Sequence, residues 1–206
     1  MSKPRSPFGP PERLPDLRLR AACTLAEVGD LVAGVLESRC GEHPQTAVPV
    51  PVLALANRAG FVTTGWQAGG GAPIEVDGWI WTRLAAVTGL CSEPTARSLC
   101  DYIGGATGVL CDTIAPPGSR RSRPGGSFAQ GVWATWCENP DTREKRTPMV
   151  FGAPASRRAL RSMFGGSAAA VEGAWQCTFF AAGWDRNDRL WPFLTAWAEA
   201  GAPVRG

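Results

Sequence analysis

Residues Asn57–Gly71 read NRAGFVTTGWQAGGG, and the fold turns on that stretch. It closes the run Pro49–Ala59, which reads as a helix with prolines near its first turn and Gly60 as its stop. Phe61–Thr64 is then a short strand, with Phe61 and Thr63 on one face and Val62 and Thr64 on the other. The loop Gly65–Pro73 follows, holding four glycines and one large aromatic, Trp66. Polar side chains crowd the end of this strand beside glycines that let a ligand or another backbone come close. Open sheets bind ligands in such crevices beyond a strand end.

On the N-terminal side, residues 1–22 are rich in proline and arginine and read as a loosely held arm. Thr24 with Glu27 forms a capping box for a first helix, whose apolar stripe is Leu25, Val28, Leu31, Val32, Val35 and Leu36. On the C-terminal side, Asp77–Thr88 reads as a third helix carrying Trp79, Trp81, Leu84 and Val87 and stopping at Gly89. Ser92 caps a fourth, with Pro94 in its first turn and Gly104 at its end. Gly108–Ile114, Ser127–Cys137 and Met149–Phe151 have strand composition, as does Trp175–Ala181. Ser156–Phe164 is a short basic helix, and Asp188–Ala200 is a last helix with Asn187 or Asp188 at its N-cap. The order predicts α+β or α/β: one domain over 23–200, in which N-terminal helices precede a mixed sheet with flanking helices, and a tail over 201–206.

Composition narrows the class. The chain has 206 residues, 44% of them hydrophobic and 19% charged, which is globular and not disordered. A net charge of +3 does not demand a polyanionic partner. Among 21 basic residues only Lys3 and Lys145 are lysines, and only four isoleucines occur, a bias expected of a GC-rich, actinobacterial genome. Seven cysteines without a CxxC pair read as reduced thiols in the cytoplasm. No apolar segment of about 18 residues is present, so no membrane span is expected.

The candidate site comprises Asn57, Arg58, Thr63, Thr64 and Gln67, with Arg83 and the Asp185–Asp188 loop, Asn187 included, as a second wall. A guanidinium pairs with carboxylate or phosphate and the hydroxyls and amides fix orientation, so the expected partner is a small polar or anionic molecule. The same residues also have a structural reading: Arg58 complements a helix C-terminus, Asn57 satisfies backbone carbonyls, and threonines favour strands. The basic runs Ser119–Arg123, Thr142–Arg146 and Arg157–Arg161 hold no aromatic residues among their arginines to stack bases, so nucleic acid is not the expected partner. His43 is the only histidine and precedes Pro44 in a polar loop, and the cysteines lie nine or more residues apart, so neither a metal site nor a cofactor is expected. Two further classes stay open. One is a protein-interaction or immunity-type module using some of the nine tryptophans. The other is an enzyme, in which Asp101, Asp112, Glu172 and Asp185 converge, or a thiol such as Cys91 or Cys111 meets Arg58.

Asn57–Thr64, NRAGFVTT, followed two residues later by Gln67, resembles the core signature of an uncharacterised domain family of Streptomyces and relatives. In that family an arginine-containing helix ending in Val-x-Gly follows, which Arg83–Gly89 resembles. Gly183–Leu194, GWDRNDRLWPFL, is similar to its WGRxDxLWP-type phrase, after a strand that starts with tryptophan as Trp175 does. The resemblance covers about residues 24–197 and implies a fold-sized domain and site positions, not a reaction. Where the family has Ser-Gln-Pro, this chain has Trp66-Gln67-Ala68, so a hydroxyl is missing.

Overall fold

In the computed structural model, described for residues 6–7, 12–13, 24–38, 49–104, 108–116 and 132–201, two antiparallel sheets and six helices form an α+β architecture. The first sheet has the order β1 (Glu12–Arg13), β2 (Phe61–Gln67), β5 (Ala86–Cys91), β9 (Trp175–Ala181) and β6 (Val109–Ile114). The second has the order β3 (Ile74–Val76), β4 (Trp79–Arg83), β7 (Val132–Glu138) and β8 (Lys145–Phe151). Every pairing is antiparallel, so of the two expected classes α+β forms, and the sheets are not mixed.

Helix α1 (Leu25–Ser38) starts on the expected capping box: Thr24 N–H donates to Glu27 Oε2 at 2.7 Å and Glu27 N–H donates to Thr24 Oγ1 at 3.3 Å. Its buried face is Val28, Val32, Ala33 and Leu36, while Leu31, expected on that stripe, is 43% exposed. Helix α2 (Pro49–Arg58) ends at Gly60, whose φ of +97° is the left-handed stop. Helix α3 (Glu93–Ile103) is capped by Ser92, which accepts from Thr95 N–H, and α4 (Arg157–Phe164) is capped by Ser156. A short α5 (Ala168–Glu172) and α6 (Leu190–Glu199) complete the set.

The core joins these layers through aromatic rings. Phe61 on β2 meets Phe179 on β9 edge-on at 5.5 Å, Phe179 meets Phe193 of α6 at 5.8 Å, and Phe193 meets Tyr102 of α3 at 5.7 Å. A second, smaller cluster lies between the sheets: Leu84, Ala86 and Phe180 against Val132, Ala134 and Phe151.

Two expectations fail here. Asp77–Thr88 is not a helix; it comprises the turn after β3, then β4, the link Leu84–Ala85 and the first half of β5. Asp77 and Gly78 both take positive φ, 53° and 75°, which is the two-residue turn that Asp-Gly specifies between strands. The Gly-rich stretch also starts later than expected, because β2 runs on to Gln67 after an irregularity between Thr63 and Gly65. The expected arm and tail, His43, Cys23, Cys40 and Ser119–Arg123 lie outside the described residues, apart from Ser6–Pro7, the β1 pair and Gly201.

Gly89 tests the packing of β5 on β2. A Cβ there would lie 2.6 Å from Phe61 Cζ and 2.7 Å from Val62 O, and the latter is backbone that cannot swing aside. Gly89→Ala is expected to lower stability by about 1–3 kcal/mol, the usual cost of overpacking, read as a shift in the urea midpoint.

Candidate functional site

The expected site residues fall into separate groups. Asn57 and Thr63 are buried against each other where α2 turns into β2. Asn57 Nδ2 donates to Leu53 O at 2.7 Å and to Thr63 Oγ1 at 2.8 Å, and Thr63 N–H donates to Asn57 Oδ1 at 2.9 Å. The asparagine thus closes the junction by satisfying a carbonyl of α2 and an amide of β2 together. Arg58 points the other way. It makes a two-pronged pair with Glu37 of α1, at 2.6 and 2.7 Å, on the exposed surface. The Arg58 hydrogen bond holds the Glu37 carboxyl below its ordinary value. What the pair contributes is therefore present at neutral pH and is lost as acid protonates Glu37. Solvent keeps it small.

Gln67, Arg83 and Asn187 do come together, around the link Arg83-Leu84-Ala85 by which the chain leaves the second sheet and enters the first. Gln67 Nε2 donates to Leu84 O at 2.7 Å and to Ala134 O at 3.0 Å. Asn187 Nδ2 donates to Gly70 O at 2.7 Å and Arg83 O at 2.9 Å, while its Oδ1 accepts from Ala85 N–H at 2.5 Å. Asn187 is therefore not the N-cap of the last helix. It lies in a 3₁₀ turn, Trp184–Arg189, and no side chain caps α6. Gly69 (φ +89°) is needed at the same point, because a Cβ would lie 2.8 Å from both Ala85 N and Asn187 Cγ. Asp185 faces solvent beside Arg186, 3.3 Å away.

Thr64 belongs to a feature that no local signal reveals. The strand register sets Gly65 opposite Thr88, Thr88 opposite Thr178, and Thr178 opposite Asp112. Cross-strand partners share a face, so hydroxyls and a carboxylate form one row across β5, β9 and β6, with Thr64 beside it at the irregularity of β2. Thr178 Oγ1 lies 3.1 Å from Thr88 Oγ1, and Thr64 Oγ1 donates to Thr88 O at 3.2 Å. Asp112 and Thr178 are sealed, at 2% and 1% exposure, while Thr64 and Thr88 are half-buried. The row therefore grades from a buried carboxylate to hydroxyls that water reaches. Gly152 (φ +71°) crosses over Thr178 so closely that a Cβ would collide with the hydroxyl. The row separates the inter-sheet cluster around Ala86 and Phe180 from Leu90 and Gln176 beyond it. Thr88 and Thr178 were not among the expected site residues, because a lone threonine in a β-prone run carries no sequence signal.

The other expected convergences do not form. Glu172 pairs with Arg161, and Asp101 and Asp185 are exposed, so only Asp112 among the four acids is buried. Cys91 is buried beside Cys177, away from the outward-facing Arg58–Glu37 pair. Among the described residues, no group of three or more His, Cys, Asp or Glu could hold a metal, and no helix is long and apolar enough to cross a membrane. The basic runs that are described engage nearby acids: Arg146 with Glu144, Lys145 with Glu138, and Arg161 with Glu172. Of the tryptophans whose side chains are described, Trp66, Trp81, Trp175, Trp191 and Trp197 are buried and Trp184 alone is an exposed one, at 43%.

Asn187→Ala is expected to cost about 2–4 kcal/mol, from roughly 1 kcal/mol per hydrogen bond plus the penalty of orphaned backbone groups. Faster amide exchange at Ala85 should accompany the loss. Arg58→Ala should leave the unfolding midpoint nearly unmoved at neutral pH, and chemical denaturation of the two variants compares them directly.

The comparison with known proteins extends the picture from the site to the whole chain. No curated protein matches it. A family model described as "Domain of unknown function (DUF6919)" matches residues 17–199, which takes in both sheets apart from β1, the link between them and the polar row. The chain thus belongs to the DUF6919 family.

Proposed function

We propose that this DUF6919 domain binds a small polar molecule at the hydroxyl row, entering from the Thr64–Thr88 end. The supporting observation is the row itself. A sheet buried on both faces gains by filling each inward position with apolar atoms, and a hydroxyl or carboxylate placed there costs stability unless it is paired. Four such groups at one level are the convergent polar set that a ligand site needs among apolar neighbours. Thr64, already expected as a site residue, contacts the ligand with Thr88. Asn57, Thr63, Gln67, Arg83 and Asn187 act indirectly, by fixing the strand end and the inter-sheet link that border the crevice. Arg58 and Asp185 take no part in the row: both are exposed and held in ion pairs, with Glu37 and Arg186. Hydroxyls beside a carboxylate suit a ligand that offers O–H or N–H donors, so neutral or zwitterionic compounds rank ahead of simple anions. Free thiols at the described cysteines support a cytoplasmic setting, and the arginine bias supports an actinobacterial source.

A protein-interaction role is the second reading. One observation favours it: a shallow apolar groove on α2 and α6, formed by Val52, Trp191, Pro192 and Ala196 between Asp188 and Glu199. The burial of most tryptophans weighs against it. Among the described residues, no paired acids or activated nucleophile beside the row support an enzymatic reading.

A thermal-shift screen of amino acids, nucleosides, sugars and sugar phosphates tests the proposal. At least one class is expected to raise the melting temperature of the wild-type chain. Thr64→Val with Thr88→Val should abolish that rise while leaving the ligand-free melting temperature within a few degrees. Should no compound stabilise the chain, or should the rise survive in the double variant, the row is structural.

A further inference from the structure

A cavity of about 70 Å³ lies on the first sheet, one rung along from the hydroxyl row. Its floor is Leu90 of β5, Gln176 of β9 and Ile114 of β6, which pair across the three strands next to Thr88, Thr178 and Asp112. Leu160 of α4 and Val171 of α5 form a wall, and Pro154 with Ala155 the roof.

The roof is tied down by one side chain. Gln176 Oε1 accepts from Ala155 N–H at 2.9 Å, and Nε2 donates to Gly152 O at 2.9 Å and to Ala153 O at 3.0 Å. Gly152 in turn rests on Thr178 with no room for a Cβ. Protein interiors otherwise close up and leave few voids larger than a water molecule. A strap held at a fixed height above the sheet keeps this hollow open. Lined by aliphatic side chains, with the Gln176 amide already satisfied, it suits an apolar body better than water.

Charge decides the head group. Two charged residues line the cavity, Glu172 and Arg157. Glu172 is engaged by Arg161, whose Nε lies 3.3 Å from its Oε1. The Arg157 side chain has no ion pair or hydrogen bond among the described residues. Arg157 is also the first residue of α4, and a helix N-terminus favours negative charge.

We propose that this cavity binds a short branched aliphatic carboxylate, with the tail among Leu90, Ile114, Leu160 and Val171 and the carboxylate on the Arg157 guanidinium. An engineered cavity of about 150 Å³ takes benzene, so half that volume fits a tail of about three or four carbons. The two carboxylate oxygens match the fork of the guanidinium. None of these residues belongs to the hydroxyl row, so the two sites can be tested apart.

An amide NMR titration of the full chain tests the site, with isovalerate as the probe and isovaleramide as its neutral isostere. Isovalerate should give saturable shifts centred on Leu90, Ala155, Leu160 and the Gln176 side-chain amide. Isovaleramide should bind about tenfold more weakly, the expected loss when a hydrogen bond to a charged group becomes a neutral one. Arg157→Gln, at an exposed position, should weaken isovalerate by about the same factor and leave isovaleramide unchanged. Ala174→Leu, which enlarges a side chain lining the cavity, should remove the shifts with both probes. If that variant does not fold, Arg157→Gln decides alone. Equal binding of the acid and its amide, isovalerate binding that Arg157→Gln leaves untouched, shifts that never saturate, or shifts centred on Thr64 and Thr88 overturn the proposal.

Discussion

The three-residue link Arg83-Leu84-Ala85 sets the terms for everything around it. A chain that passes directly from one sheet to another leaves both hydrogen-bonded ladders at once, and buried backbone groups without partners are costly. Here they are met individually. Leu84 N–H reaches Ala134 O, Leu84 O takes Gln67 Nε2, Ala85 N–H takes Asn187 Oδ1, and Ala85 O takes Ala181 N–H. Arg83 O receives both Gly70 N–H and Asn187 Nδ2. Two amide side chains thus do for the link what a strand ladder does elsewhere. The inter-sheet cluster begins at Leu84 and Ala86, so the packing of the two sheets inherits its geometry from this crossing.

That crossing also accounts for the composition of its neighbourhood. Gln67 can reach Leu84 and Ala134 only because β2 continues past the irregularity near Thr64. Asn187 can reach three backbone groups only because Gly69 leaves room for it. The polar residues that stand out between Asn57 and Gln67 are therefore mostly braces, each solving a local backbone problem. The transverse row of Thr64, Thr88, Thr178 and Asp112 differs in kind. Thr88, Thr178 and Asp112 lie on regular paired strands whose backbone already has its ladder bonds, so their side chains are not needed to replace one.

Local signals were legible where the cause is local. The Thr24–Glu27 box, Gly60 as a helix stop, Ser92 and Ser156 as caps, and the strand Trp175–Ala181 all act within a few residues of themselves. The misreading of Asp77–Thr88 has an equally local cause. Trp79, Trp81, Leu84 and Val87 fit a helical stripe, but Trp79, Trp81 and Arg83 fit alternation as well, and Asp77-Gly78 decides between them. Asn187 was beyond local reading. It precedes an apolar helical run, as an N-cap would, yet its partners lie more than a hundred residues away in the chain. Nothing in a window of a dozen residues distinguishes the two roles.

The row was hidden for a further reason: it exists only in the register. Thr88 is one threonine among apolar neighbours, Thr178 another, and Asp112 a single acid in a β-prone run. A slip of one residue in either β5–β9 or β9–β6 would send them to opposite faces. The same dependence applies to the thiols, since Cys91, Cys177 and Cys111 are neighbours only in this pairing. One alignment of three strands therefore builds two chemically different faces, hydroxyl and carboxylate on one side and sulfur on the other. Both faces share β9, where Cys177 and Thr178 are consecutive residues pointing opposite ways.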